Sequence, residues 1–400
     1  MLNMCWNNRL ASLLILISCS VPCCSEAAVR HYQIRSLNTP AIPSAINNNG
    51  EAVLSMPPHG MTQNDDVQGL VFQIVEPGRA LFWNGNALED LINLGSNTNQ
   101  VSDLNNNGLA VGTASPLIDG RIKGILYGPG PQATVLDLSP GYSTNALAVD
   151  DSGARIVGFT TFAPEELPRA FLYQVGVGTE DLGSLGPGTS IAVNISDSGG
   201  LIVGVSQTGA TSTEILSGSP AEEAFLFKNG VMTGLGTLGG QSSAALGVSN
   251  TGVVVGESAV FLGGPSRAFI YDELNGMREI PTAGTSSIAR AVNNVGEVVG
   301  YYQTDPAYRV AFIYDIEEGT SDLIDLLINP SGWTSLSTAV AINDHGEILG
   351  QGIFQDMQTV YIATPVAIPE PTSIVSLLCS AVILFSLRCP KNEKGVGSAQ

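Results

Sequence analysis

The sequence predicts an all-β chain folded as a β-propeller of about seven four-stranded blades. Three observations predict it: a Gly-closed polar turn that recurs seven times, an aromatic strand downstream of each turn, and hardly any helical periodicity between them. The chain has 400 residues, with 46 Gly, 22 Pro and 44% hydrophobic residues. That apolar share argues against disorder and suffices for a large core.

The turns are Ile46-Asn-Asn-Asn-Gly50, Leu104-Asn-Asn-Asn-Gly108, Asp150-Asp-Ser-Gly153, Ser196-Asp-Ser-Gly199, Ser249-Asn-Thr-Gly252, Asn293-Asn-Val-Gly296 and Asn343-Asp-His-Gly346. They recur with a period of about 48 residues, the length of one blade. Asx residues followed by Gly supply the positive φ of a tight hairpin turn. Six copies lead through an apolar strand to a second Gly, at Gly112, Gly158, Gly204, Gly256, Gly300 and Gly350. In the first copy Ser55 takes that place, which marks a degenerate end unit.

Next comes the aromatic strand, as in Ala170-Phe-Leu-Tyr173, Ala224-Phe-Leu-Phe227, Ala268-Phe-Ile-Tyr271 and Ala311-Phe-Ile-Tyr314. Period-2 alternation puts Phe171 and Tyr173 on one face, and Ala170 and Leu172 on the other. A third element, such as Leu91-Ile-Asn-Leu-Gly95 or Asp181-Leu-Gly183, opens the unit. A fourth runs into the turn, as in Ser190-Ile-Ala-Val193 and Ile288-Ala-Arg-Ala-Val292. Runs such as Val253-Val-Val255 are apolar on both faces and must be covered on both. All seven units begin with the same element, starting near Tyr32-Gln-Ile-Arg35. This predicts little circular permutation, with the ring closing between the first and last blades. A β-solenoid is the alternative, but its rungs are normally shorter.

Charge excludes two classes of partner. With 16 Lys+Arg against 36 Asp+Glu the net charge is −20, so phosphate contacts with nucleic acid or anionic lipid lack their clustered cations.

The two ends carry address rather than fold. Residues 1–27 pair a weakly basic start with the apolar run Leu10 to Ser18, a signal peptide with cleavage after Ala27. Leu16-Ile-Ser-Cys19 also reads as a lipobox, in which Cys19 would be lipidated. Residues 28–364 form the repeat domain and 365–371 a Pro-rich linker. Residues 372–387 form an uncharged transmembrane helix, and 388–400 a basic cytoplasmic tail. All six Cys lie in the terminal segments, so the repeat domain uses no disulfide and no thiolate.

The order Pro369-Glu370-Pro371, short apolar helix and basic residues from Arg388 resembles the PEP-CTERM sorting signal of exported bacterial proteins. That resemblance implies export to the cell envelope or surface, and an exosortase-like sorting partner. In that family the tail is usually a tight Arg cluster, whereas here Arg388 stands before a looser Lys-containing tail. The repeat units resemble the extracellular HAF repeats, through Ala170-Phe-Leu-Tyr173 followed by Asp181-Leu-Gly-Ser-Leu-Gly186. The naming His is replaced by Arg169, Arg267, Glu223 and Val310. This second resemblance implies secretion and a repeat architecture, and no particular reaction.

No catalytic constellation stands out. The turns could act as calcium loops, with Asp150, Asp151, Asp197, Asn343 and Asp344 as oxygen ligands. Against this, the first two turns hold no carboxylate, and Asx-Gly sequences serve turn geometry alone. No other cofactor is expected. His31, His59 and His345 have no metal-ligand spacing. Leu235-Gly-Thr-Leu-Gly-Gly240 does not precede a helix, so it is no phosphate loop. The loop pairs Glu165-Glu166, Glu222-Glu223 and Glu317-Glu318 read as solvated charge.

Two functions remain. One is a non-enzymatic surface or matrix module that binds an extracellular polysaccharide or a surface protein. The other is a secreted polysaccharide-acting hydrolase that uses carboxylates on the propeller face.

Overall fold

Each Gly-closed turn joins the first and second strands of one blade. In all seven the Gly holds a positive φ, from +68° at Gly153 to +95° at Gly296. Its N–H donates to the carbonyl of the first turn residue, as from Gly50 to Asn47 (3.1 Å) and Gly346 to Asn343 (3.0 Å). The computed structural model describes residues 30–366 except 65–70, 117–120, 129–131, 137–142, 162, 164–165, 210–220 and 306–307. The signal and sorting features at Cys19, Ala27, Pro369, Glu370, Pro371 and Arg388, with the spans 1–27 and 372–400, lie outside the described residues.

Seven four-stranded antiparallel sheets form the blades of a propeller. Their first, innermost strands are Ile42–Ile46, Ser96–Leu104, Ser143–Val149, Ser190–Ile195, Ser243–Val248, Ser286–Val292 and Trp333–Ile342. Blade 1 continues with Ala52–Met56, Arg79–Trp83 and Leu88–Asp90, and carries an extra hairpin, His59–Asn64 with Val71–Glu76. Among the described residues the only helical element is a 3-10 turn, Leu323–Leu326.

The expected phase of the ring is corrected at one strand. Blade 7 comprises Trp333–Ile342, Ile348–Phe354 and Met357–Val366, and its outermost strand is His31–Ser36 from the other end of the chain. The element near Tyr32 therefore does not open blade 1 but completes blade 7, so the ring closes within a blade. The same shift applies to the Leu-Gly phrases. Asp181-Leu-Gly183 lies in the last strand of blade 3, and Leu91 follows the last strand of blade 1, so these phrases end blades rather than begin them.

Seven apolar clusters fill the seven blade-to-blade seams. Phe171 packs with Val111 and Leu136 of blade 2, while Ala170 and Leu172 face Ile195, Ile202 and Phe225 of blade 4. The alternation read from the aromatic strand therefore holds. The seam between blades 7 and 1 has a cluster of its own, with Leu349, Val360 and Ile362 against Leu54, Leu81 and Trp83.

The second Gly has a packing cause. Every inner strand has a bulged residue at the same register, between Ala192 and Asn194 in blade 4, for example, and blades 2 and 7 have further ones. There the inner carbonyl leans over the second strand, and a Cβ on Gly204 would run into the Ile191 oxygen and lie 2.9 Å from Phe225. Register also corrects the first copy. Its counterpart of the second Gly is Leu54, paired with Pro43 beside the bulge, and not Ser55. Leu54 is fully buried at this seam.

Candidate functional site: the axial channel

The seven inner strands surround a cavity of about 360 Å³ on the propeller axis. Two rings of side chains surround it, the first with a lining residue from every blade and the second with one from every blade but the fifth. The first is made of the bulge residues Ser44, Ser102, Leu147, Val193, Leu246, Arg290 and Val340. A two-for-one bulge presents one additional side chain, and its repetition at one register places seven around the axis.

The second ring belongs to the turns. The residues two before each turn Gly are Asn48, Asn106, Asp151, Asp197, Asn250, Asn294 and Asp344, and hydrogen bonds carry this ring from blade to blade. The Asn48 N–H donates to Asn106 Oδ1 (2.7 Å), Asn106 N–H to Asp151 Oδ1 (3.0 Å) and Asp151 N–H to the Asp197 carbonyl (3.0 Å). From there Ser198 N–H donates to Asn250 Oδ1 (2.8 Å) and Asn250 N–H to Asn294 Oδ1 (2.7 Å). Asn294 N–H then donates to Asp344 Oδ1 (2.8 Å), and Asp344 N–H returns to Asn48 Oδ1 (2.8 Å). Asn294 Nδ2 also reaches past blade 5 to Asp197 Oδ2 of blade 4 (3.0 Å), a bond that skips one blade.

The candidate calcium ligands divide between two positions. Asp151, Asp197 and Asp344 belong to the ring and line the channel. Asp150 and Asn343 sit one residue earlier and hold their own turns. Asp150 accepts Arg155 N–H (3.0 Å) and the Ser152 hydroxyl (2.7 Å), and Asn343 accepts the N–H groups of His345 (3.0 Å) and Glu347 (2.9 Å). Among the described residues no group of three or more His, Cys, Asp or Glu is arranged to hold a metal ion.

Electrostatics differ around the ring. Burial pushes the Asp197 carboxyl up, and the charges of Asp151 and Asp344 add to this against hydrogen bonds from Asn294 and Asn250. Burial also pushes at Asp344, but hydrogen bonds from the Asn294 backbone and side chain and from Asn48 outweigh it, and the net direction is down. A fourth carboxylate, Asp103, follows the blade 2 bulge. Burial raises it to about 6 although it accepts the Val149 N–H of blade 3 (2.9 Å).

Two of these residues were missed from sequence. Asp103 lies outside every turn motif and carries no signal. Arg290 did carry one, as the single cation inside the small, apolar inner strand Ile288-Ala-Arg-Ala-Val292.

Arg169, Arg267 and Glu223, each just before the Ala-Phe pair of an aromatic strand, hold the outer strand. Arg169 lies 3.5 Å from Asp181 and donates to the Ser184 hydroxyl (3.2 Å), Arg267 lies 3.3 Å from Glu279, and Glu223 accepts Gly236 N–H (2.6 Å). The inner-strand serines complete this fastening. Ser190 accepts Ala170 N–H (2.9 Å) and donates to the Gly183 carbonyl (2.6 Å), and Ser243 does the same with Ala224 and Gly236.

Comparison with known proteins gives the fold a context. A family described as a protein of unknown function (DUF3466) matches residues 188–364, which span blades 4 to 7. No curated protein matches the chain. Among solved structures, the β-propeller domain of the Trilobed protease from Pyrococcus furiosus is similar at 9% identity, over 81% of this chain and 93% of that one, with a TM-score of 0.52. TolB from Acinetobacter baumannii is similar at 12% identity over 84% and 96%, with a TM-score of 0.41. The gluconolactonase XC5397 from Xanthomonas campestris is similar at 9% identity over 85% and 92%, with a TM-score of 0.42. At 9% identity the Pyrococcus likeness shows a shared propeller fold and nothing of activity.

Proposed function

We propose that this chain is an exported binding module of the cell surface or extracellular matrix. Residues 1–27 direct its export, by cleavage after Ala27 or by lipidation at Cys19. The Pro369-Glu370-Pro371 signal with Arg388 is read by exosortase-like machinery, and residues 372–387 anchor the chain before processing. The repeat domain is then displayed to an extracellular polysaccharide or surface protein. The observation that carries the reading is the axial channel, a concave site of about 360 Å³ to which all seven blades contribute. The acidic ring at its end favours donor-rich ligands such as polyols, and the −20 net charge keeps an exposed domain soluble.

One observation favours the hydrolase as a second reading. Asp103, raised to about 6, shares the channel with Asp151 and Asp197, and a proton-holding acid with a second carboxyl group nearby is what glycoside hydrolysis requires.

The test is a thermal-shift screen of the full chain against extracellular polysaccharides, each with calcium and with chelator. Stabilisation by one glycan would support the polysaccharide as ligand, because a ligand of the native state raises the melting temperature. Product analysis with that glycan then separates binding from hydrolysis. Flat melting curves throughout would contradict the glycan reading and the calcium loops together.

A further inference from the structure

The bulge ring has an uneven chemistry. Blades 3, 4 and 5 contribute Leu147, Val193 and Leu246, an apolar arc, and blade 7 adds Val340 on the other side of Arg290. Arg290 is exposed, lines the cavity, and makes no hydrogen bond or ion pair with any described residue. It is the one cation among the residues that line the cavity. At the turn end of the channel Asn294 bonds to Asp197 past blade 5, so that end is lined by carboxylates and amides bonded to one another.

We infer that the open mouth of the channel receives the C-terminal end of a peptide whose last residue is apolar. The guanidinium of Arg290 takes the terminal carboxylate in a two-pronged, charge-assisted hydrogen bond. The last side chain lies on the arc of Leu246 and its neighbours. The carboxylates of Asp151, Asp197 and Asp344 repel a second negative charge, which holds the terminal carboxylate at the level of Arg290 and keeps it from moving deeper. A polysaccharide would supply neither the chain-end carboxylate nor the apolar side chain. The inference rests on the channel being a binding site, and it chooses a surface peptide over a glycan as the occupant.

The experiment titrates the full chain with N-acetyl-Gly-Ala-Leu as the free acid, as its C-terminal amide, and with Glu in place of Leu. The free acid should bind about tenfold or more tightly than the amide, since one charge-assisted pair is lost. The Glu peptide should be weaker than the Leu peptide. Arg290→Gln should abolish the preference for the free acid, and Arg290→Lys should keep part of it. Arg290 is exposed, so these variants fold. Equal binding of acid and amide, or a preference that survives Arg290→Gln, would overturn the inference while leaving the channel as a binding site. If no peptide binds, the inference also fails, and a glycan response in the thermal screen would still support the broader reading.

Discussion

The seam between blades 7 and 1 and the seam between blades 4 and 5 do the same work under different constraints. At 4–5 the chain runs directly from one blade into the next. At 7–1 the chain also runs on, from His31–Ser36 into Ile42–Ile46, but the other three strands of blade 7 come from the far end of the sequence and are held to that strand only by non-covalent pairing. The turn residues differ as well. At the closing seam Asn343 Nδ2 donates to the Asn47 carbonyl (2.8 Å), Asp344 and Asn48 bond in both directions (2.8 and 3.1 Å), and Gln351 Nε2 donates to the Ala41 carbonyl (2.9 Å). At 4–5 the first turn residues are Ser196 and Ser249, too short to reach the neighbouring carbonyl. The turns are bridged there by Ser198 N–H to Asn250 (2.8 Å) and a longer Asn250–Asp197 contact (3.3 Å). Polar fastening follows the turn residue: where the turn begins with Asn47, Asn105, Asn293 or Asn343 its amide reaches the next turn's carbonyl, so the Asx turns act as bolts between blades.

The largest effect should come from the strand that completes blade 7. Tyr32 is fully buried among Leu323, Leu327 and Leu336. Tyr32→Ala should cost about 3–5 kcal/mol, the range for an aromatic removed from a packed core. Leu182→Ala, in the outer strand of blade 3, should cost about 2–3 kcal/mol. Denaturant unfolding compares the two. A Tyr32→Ala variant as stable as the parent chain would remove His31–Ser36 from the blade.

A smaller difference should separate the turns themselves. Asn343→Ala deletes two accepted and two donated hydrogen bonds, and should cost about 2–3 kcal/mol. Ser249→Ala deletes only local bonds to Thr251 and Val253, and should cost about 1 kcal/mol or less. Equal costs would mean that the closing seam gains nothing from its amides.

The third prediction concerns pH. Folded Asp103 holds its proton up to about pH 6, whereas an unfolded Asp releases it near pH 4. The raised value means that stability falls as pH climbs from about 4 to about 6, and the cost is complete above that. Asp103→Asn keeps an oxygen for the Val149 N–H and should add about 1–2 kcal/mol above pH 6.5, and nothing below pH 4. Melting temperatures at pH 4 and pH 7.5 check it, and an equal gain at both would point to packing instead of ionisation.

The blades were legible because their marks are local. A positive φ needs Gly, a strand covered on both faces needs continuous apolar residues, and each mark repeats at blade length. Phase was not legible, because a ring has no first strand and Tyr32-Gln-Ile-Arg35 carries no mark of which blade it joins. The bulges also escaped, since register depends on a partner strand, and so Ser55 was matched where Leu54 belongs. The channel was half legible. Its Asx ring lies in the motif that repeats, but that these turns bond to one another around seven blades follows only from closure. Asp103 and Arg290 break the repeat, and a repeat is what a sequence read by periods shows best.

The most direct test of the closed ring is native-state hydrogen exchange at His31–Ser36, set against the outer strand of blade 3, Gly178–Gly183. If the chain's first strand completes blade 7, its amides bonded to Met357–Val366 exchange as slowly as those of the internal blade. Exchange at the rate of a free chain end, with blade 3 still protected, would contradict the closure on which this account depends.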